Sequence, residues 1–169
     1  PGFDVPTGGI GNSVSCAMQG GLKTYRQATA YSSNTWFVEL ESRIGVEKVK
    51  EFSKSVGLHV PDEINPRSAS FTLGVTDNSP IDMAAAYATF NAKGVYCPAT
   101  PVTSITRMDG KPLDTPDDWD GSKTACRSVM SPHSASIVLK AQDANINGTD
   151  IPDRFGAKAA IPGHHTVGK

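Results

Sequence analysis

The run Ser32-Ser33-Asn34 and the lysine Lys169 hold side chains whose types can take part in proton transfer, amide hydrogen bonding and charge stabilisation. A serine hydroxyl is a poor nucleophile until a neighbouring group takes its proton, and the same hydroxyl can relay a proton between two other groups. An asparagine beside it both donates and accepts hydrogen bonds, as holding a peptide amide requires. A lysine supplies fixed positive charge toward which negative charge can develop. Taken alone, Ser-x-Asn more often marks a helix stop or cap.

Other clusters point to different chemistries, each with a plainer reading. Gly163 to Lys169 spells Gly-x-x-x-x-Gly-Lys, the opening of a phosphate-binding loop, which needs a buried strand before it and a helix N-terminus after it. The preceding Ala-Lys-Ala-Ala-Ile-Pro makes a poor buried strand, so this is the remote alternative. His59 and His133 are isolated, and His164 and His165 are adjacent, so on an extended segment their side chains point apart. Asp114, Asp117, Asp118 and Asp120 surround Trp119 in what reads as a solvated loop. No pair among Cys16, Cys97 and Cys126 has C-x-x-C spacing, so a zinc site is not expected, and no other motif calls for a metal or a cofactor.

The elements that must position these residues are mainly helical. Glycines at 2, 8, 9, 11, 20 and 21 make 1–21 a loop-rich entry. Leu22, Tyr25, Ala28 and Tyr31 recur every three residues and predict a short helix running into the Ser-x-Asn run. Trp36, Phe37, Leu40 and Ile44 predict a second helix stopped by Gly45, and Val49, Phe52 and Val56 a third stopped by Gly57. Residues 68–75 read as a short strand or extended segment. Ser79 as N-cap, Pro80 at the first helical position and Asp82 in the first turn announce the clearest helix, ending at Gly94. Asp109-Gly110 is the turn of a hairpin within 102–113, and Ser131-Pro132 opens a helix reaching Asn147-Gly148. The tail approaches one more strand near 166–169. The fold class is therefore mixed α/β, helices on a sheet with too few strands to stand alone.

Composition narrows the function classes. Sixteen basic and seventeen acidic residues give a net charge of −1, with no basic stripe, so nucleic acid is not an expected partner. No stretch nears the roughly 20 apolar residues of a spanning helix. The start lacks the features of a signal peptide, and both ends read as cuts in a longer polypeptide. A Cys97–Cys126 bridge would close a loop of about 30 residues and stabilise by about 3 kcal/mol on chain entropy. The alternative is two buried thiols, with Cys16 a third.

Two longer phrases give the short motif its context. ATAYSSNTWFV at 28–38 and SPIDMAAAYATFNAKGVY at 79–96 resemble the second-motif region, and the helix that follows it, of high-molecular-weight penicillin-binding proteins. Order and spacing from about residue 20 to 169 agree with that resemblance, which is nearest to the bifunctional, class A type. It implies a serine transpeptidase or β-lactamase-like fold, with a helical subdomain and part of an antiparallel sheet, divided as 1–21 entry, 22–96 helical region with Ser-x-Asn, and 97–169 hairpin, helix and start of the Lys-Thr-Gly strand.

Residue by residue, the resemblance implies that Ser32 relays protons, Asn34 binds the substrate amide and Lys169 is the strand lysine. It implies a D,D-transpeptidase that cross-links peptidoglycan stem peptides ending in D-Ala-D-Ala, takes β-lactam antibiotics on the same serine, and works on the extracytoplasmic face of the cytoplasmic membrane, anchored by a segment elsewhere. No lysine of this chain has serine three places before it, so the nucleophile motif Ser-x-x-Lys is absent, and the Thr-Gly after Lys169 is absent too. The chain is thus expected to need the remaining part of the same domain and to be inactive alone. A non-catalytic scaffold of the same fold, or a β-lactamase or D,D-carboxypeptidase of the superfamily, are the alternatives.

Overall fold

A computed structural model describes residues 22–65, 68–100, 102, 104–113 and 125–169. Five helices are defined: α1 (Tyr25–Ala30), α2 (Asn34–Ile44), α3 (Val46–Ser55), α4 (Pro80–Asn91) and α5 (Pro132–Asn147). Two short strands, β1 (Val95–Tyr96) and β2 (Arg127–Ser128), pair antiparallel with Val95 opposite Ser128. The mixed helical architecture with a small antiparallel sheet agrees with the fold class expected from the sequence.

The helix starts follow from their caps. Thr24 and Gln27 form a capping box on α1, while the Ser79 and Ser131 hydroxyls accept from the amides of Asp82 and Ser134, each followed by proline in the first turn. Gly45 stands at φ 94°, between α2 and α3, a conformation that side-chained residues avoid. At six residues α1 is too short to persist alone, and it is held by packing on α5, where Ala30, Ala144 and Ile151 share a core with Tyr31 against it. Arg26 on α1 grips Asp150 just beyond α5 with two parallel bonds of 2.5 and 2.7 Å, and holds that exposed carboxyl at a pKa of about 2.

A second core of Val46, Val60 and Phe71 sets α3 against the 3₁₀ turn Phe71–Leu73, and a third, Val56, Ala86 and Tyr96, joins α3, α4 and β1. Cys97 and Cys126, just outside the paired residues of β1 and β2, are joined in a disulfide.

Three expectations need correction. Residues 68–75 contain a 3₁₀ turn where a strand was expected, because Phe71 is drawn into the core with Val46 and Val60 instead of lying along a sheet neighbour. The expected strand near 166–169 carries no ladder among the described residues, where that segment is bonded by side chains of α5. The first helix begins at Tyr25, where Thr24 caps it, leaving Leu22 exposed. The Asp109-Gly110 turn does close an antiparallel bridge between Thr106 and Pro112. The entry 1–21 with Cys16, and the aspartates of 114–120, lie outside the described residues. No helix of the described residues is long and apolar enough to cross a membrane, and none of their His, Cys, Asp and Glu side chains cluster in a metal-binding group of three.

Candidate active site

Ser32 sits in the link between α1 and α2 with φ 51°, the left-handed region. Its amide donates to the Thr29 carbonyl at 3.1 Å and the Ser33 amide to the Ala28 carbonyl at 3.0 Å. These two bonds are the Schellman closure of a helix C-terminus, and Ser32 fills the place that glycine usually takes. Holding an L-residue there costs about 1–2 kcal/mol. The gain is an abrupt reversal: Ser33, 1% exposed, becomes the N-cap of α2, and Asn34 becomes its first residue. The chain is therefore folded tightly around the motif, with Ser32 and Asn34 half-buried on either side of a buried serine.

Lys169 arrives from the opposite end of the sequence. Its Nζ lies 5.0 Å from the centre of the Phe37 ring, and Phe37, whose amide bonds the Ser33 carbonyl, belongs to the first turn of α2. Lys169 is thus brought to the same helical turn that starts with Asn34. Phe37 is part of an aromatic floor: its ring is 5.1 Å from Trp36 and 6.3 Å from Tyr25, and the Trp36 indole donates to the Lys23 carbonyl. Partial burial lowers the Lys169 pKa from its ordinary value, although the residue keeps solvent access, and burial raises the Tyr25 phenol.

The backbone leading to Lys169 is held by α5. Asn145 Nδ2 donates to the Gly168 carbonyl at 2.8 Å, Asn147 Nδ2 to the Thr166 carbonyl at 2.8 Å, and His165 Nε2 lies 3.1 Å from Asp143 Oδ1. From α4, the Tyr87 hydroxyl donates to the Lys169 carbonyl at 3.4 Å. A cleft of about 530 Å³ opens beside this segment, lined by Phe155, Lys158, Thr166 and Lys169 among others, with Ser32 and Asn34 outside its lining.

The sequence picked out Ser32, Asn34 and Lys169 but not the α5 side chains. Asp143, Asn145 and Asn147 alternate in the last turns before Gly148, a polar spacing on a helix end that is only informative once the 166–168 segment is known to lie against it.

Comparison with known proteins gives this geometry a setting. Residues 12–149 match the model of the penicillin-binding protein transpeptidase domain. The chain is 29% identical over 147 residues to penicillin-binding protein 1A of Clostridium tetani, covering 82% of this chain and 18% of that protein. It is 35% identical over 94 residues to penicillin-binding protein 1A of Aquifex aeolicus, covering 56% of this chain and 12% of that protein. The chain therefore spans less than a fifth of the curated relatives' length. Among solved structures, an imipenem acyl-enzyme complex of penicillin-binding protein A from M. tuberculosis superposes with a TM-score of 0.66 at 21% identity, over 95% of this chain and 39% of that one. Penicillin binding protein 3 from the same organism, complexed with aztreonam, gives 0.65 at 18% identity, over 83% and 34%.

Proposed function

This chain belongs to the penicillin-binding protein transpeptidase domain family, and on that footing we propose that it supplies half of a D,D-transpeptidase active site, the nucleophilic serine coming from a segment outside this sequence. In the complete domain that serine attacks the carbonyl of the penultimate D-Ala of a stem peptide. The C–N bond breaks, the terminal D-Ala leaves with a proton, and an ester is left on the serine. An amine of a neighbouring stem then attacks the ester, restoring the serine hydroxyl and forming the cross-link. A β-lactam, its strained amide standing in for the D-Ala-D-Ala bond, acylates the same serine.

Ser32 passes protons between the nucleophile and the leaving amine, Asn34 hydrogen-bonds the substrate amide, and Lys169 holds positive charge beside the reacting serine. Supporting this reading above all is the approach of Lys169, which lies 135 positions after Asn34 in sequence, to within one aromatic ring of its helical turn. The Cys97–Cys126 bridge accords with a site on the outer face of the cytoplasmic membrane, where disulfides persist. Division of the sequence into an entry segment, a helical Ser-x-Asn region and a hairpin–helix–lysine region belongs to the same proposal, as does the class A type.

Covalent labelling of the full-length protein by a fluorescent penicillin tests the assignment. Labelling that falls at least a hundredfold in Ser32→Ala and Lys169→Ala supports it. Full-length protein that takes no label would make the chain part of a scaffold instead, and labelling of the 169 residues alone would place the nucleophile inside them.

A further inference from the structure

We infer that Asn145 is the positioning residue for Lys169, fixing the register of the segment that carries it; the inference rests on the role proposed above for Lys169. Asn145 is 2% exposed and spends both ends of its amide on backbone from two separate segments. Its Oδ1 accepts from the Gly156 amide at 2.9 Å and its Nδ2 donates to the Gly168 carbonyl at 2.8 Å, one residue before Lys169.

Successive carbonyls of an extended segment point to opposite sides, so alternate ones share a side. Asn147 takes the Thr166 carbonyl and Asn145 the Gly168 carbonyl, two residues apart, so α5 reads every second carbonyl as a neighbouring strand would. A slip of one residue would turn the wrong edge to both amides and send the Lys169 side chain to the opposite face, away from Phe37. Among the described residues this segment has no ladder partner, and the bonds to its carbonyls come from the side chains of α5.

Gly156 completes the fit. A Cβ on it would lie 2.6 Å from Asn145 Nδ2, so the 3₁₀ helix Phe155–Ala159 can press on the amide only through a glycine. The donor is thereby confined between Gly156 and Gly168, and there is no room for it to turn aside.

The test is the acylation rate of the full-length protein by a fluorescent penicillin, followed across pH for Asn145→Asp, Gly156→Ala and Lys169→Ala. An aspartate keeps the shape and still accepts from Gly156, but it can donate to the Gly168 carbonyl only when protonated. Asn145→Asp is therefore expected to lose about tenfold or more at neutral pH, since a misplacement of about 1 Å can cost about a hundredfold, and to recover as pH falls. A residue that merely held the fold would recover in acid only in step with the thermal midpoint, so the midpoint of Asn145→Asp is followed over the same pH range, and acid recovery of the rate at a pH where the variant is already fully folded marks positioning. Gly156→Ala, which displaces the amide without removing it, should lose rate at all pH values, and it serves if the aspartate variant does not fold.

Wild-type rates in both variants, or a pH-independent loss in Asn145→Asp, overturn the inference. If Lys169→Ala itself acylates normally, the role of Lys169 is wrong and the inference falls with it. If Lys169→Ala is dead while Asn145→Asp is unaffected, only the positioning claim falls.

Discussion

The ammonium of Lys169 and the ring of Phe37 are stacked with 5.0 Å between Nζ and the ring centre. A cation over a ring face is worth about 0.5–1 kcal/mol where solvent still reaches it. Phe37→Leu is expected to slow acylation of the full-length protein several-fold while leaving the helix intact. Because partial burial lowers the Lys169 pKa, its charge is lost at a lower pH than that of a free lysine. The alkaline limb of the acylation profile should therefore begin below the ordinary lysine range, and Lys169→Arg should move it upward.

Ser32 opposes stability and function at one position. Glycine accepts the 51° φ without strain, so Ser32→Gly should stabilise the fold by about 1 kcal/mol in urea denaturation. The same change removes the hydroxyl and should abolish penicillin labelling. A variant that is less stable than the parent would show that the left-handed turn is not strained.

Glu41 carries a titratable group into the interior. It is 1% exposed, and neither carboxylate oxygen has a hydrogen-bond partner of good geometry. Burial raises its pKa, with the Thr72 amide only partly favouring the charged form. The folded state thus holds this proton more tightly than the unfolded chain, and the contribution to stability is largest below the unfolded pKa and fades as pH rises through the folded one. Glu41→Gln should flatten that slope and raise the thermal midpoint at pH 7, by roughly 2–4 °C per kcal/mol gained. A slope unchanged by the substitution counts against a buried proton.

Replacing Cys97 and Cys126 by serine removes a link across 29 positions. Loss of about 3 kcal/mol is expected from chain entropy, seen as a lower unfolding midpoint, with labelling retained at temperatures where the variant is folded.

Much of the helical framework is written locally. Ser79-Pro80 and Ser131-Pro132 fix two helix starts within their own first turns, and Gly45 marks the α2–α3 junction, so each is legible from neighbours in sequence. The extended segments were not, because an alternating or apolar run becomes a strand only if a partner is placed beside it. Phe71 found a core and the 166–168 segment found asparagines. The candidate site divides the same way. Ser32, Asn34 and Lys169 were legible only through the longer phrases around them and the family resemblance those carry, whereas Asn145 acts across 23 positions through backbone carbonyls, which carry no residue identity. The left-handed turn at Ser32 was hidden for the opposite reason: a serine sits where local rules favour glycine.

The Cys97–Cys126 bridge also makes residues 97–126 a closed ring hanging on the β1–β2 pair. A protease that nicks this stretch once does not release a fragment, since both cut ends stay tied through sulfur. Ring closure grows only logarithmically more costly with length, about 0.6 kcal/mol for each doubling. The Asp109-Gly110 turn is therefore a place where added sequence, such as a reporter peptide, can be carried with little penalty to the helices that hold Lys169.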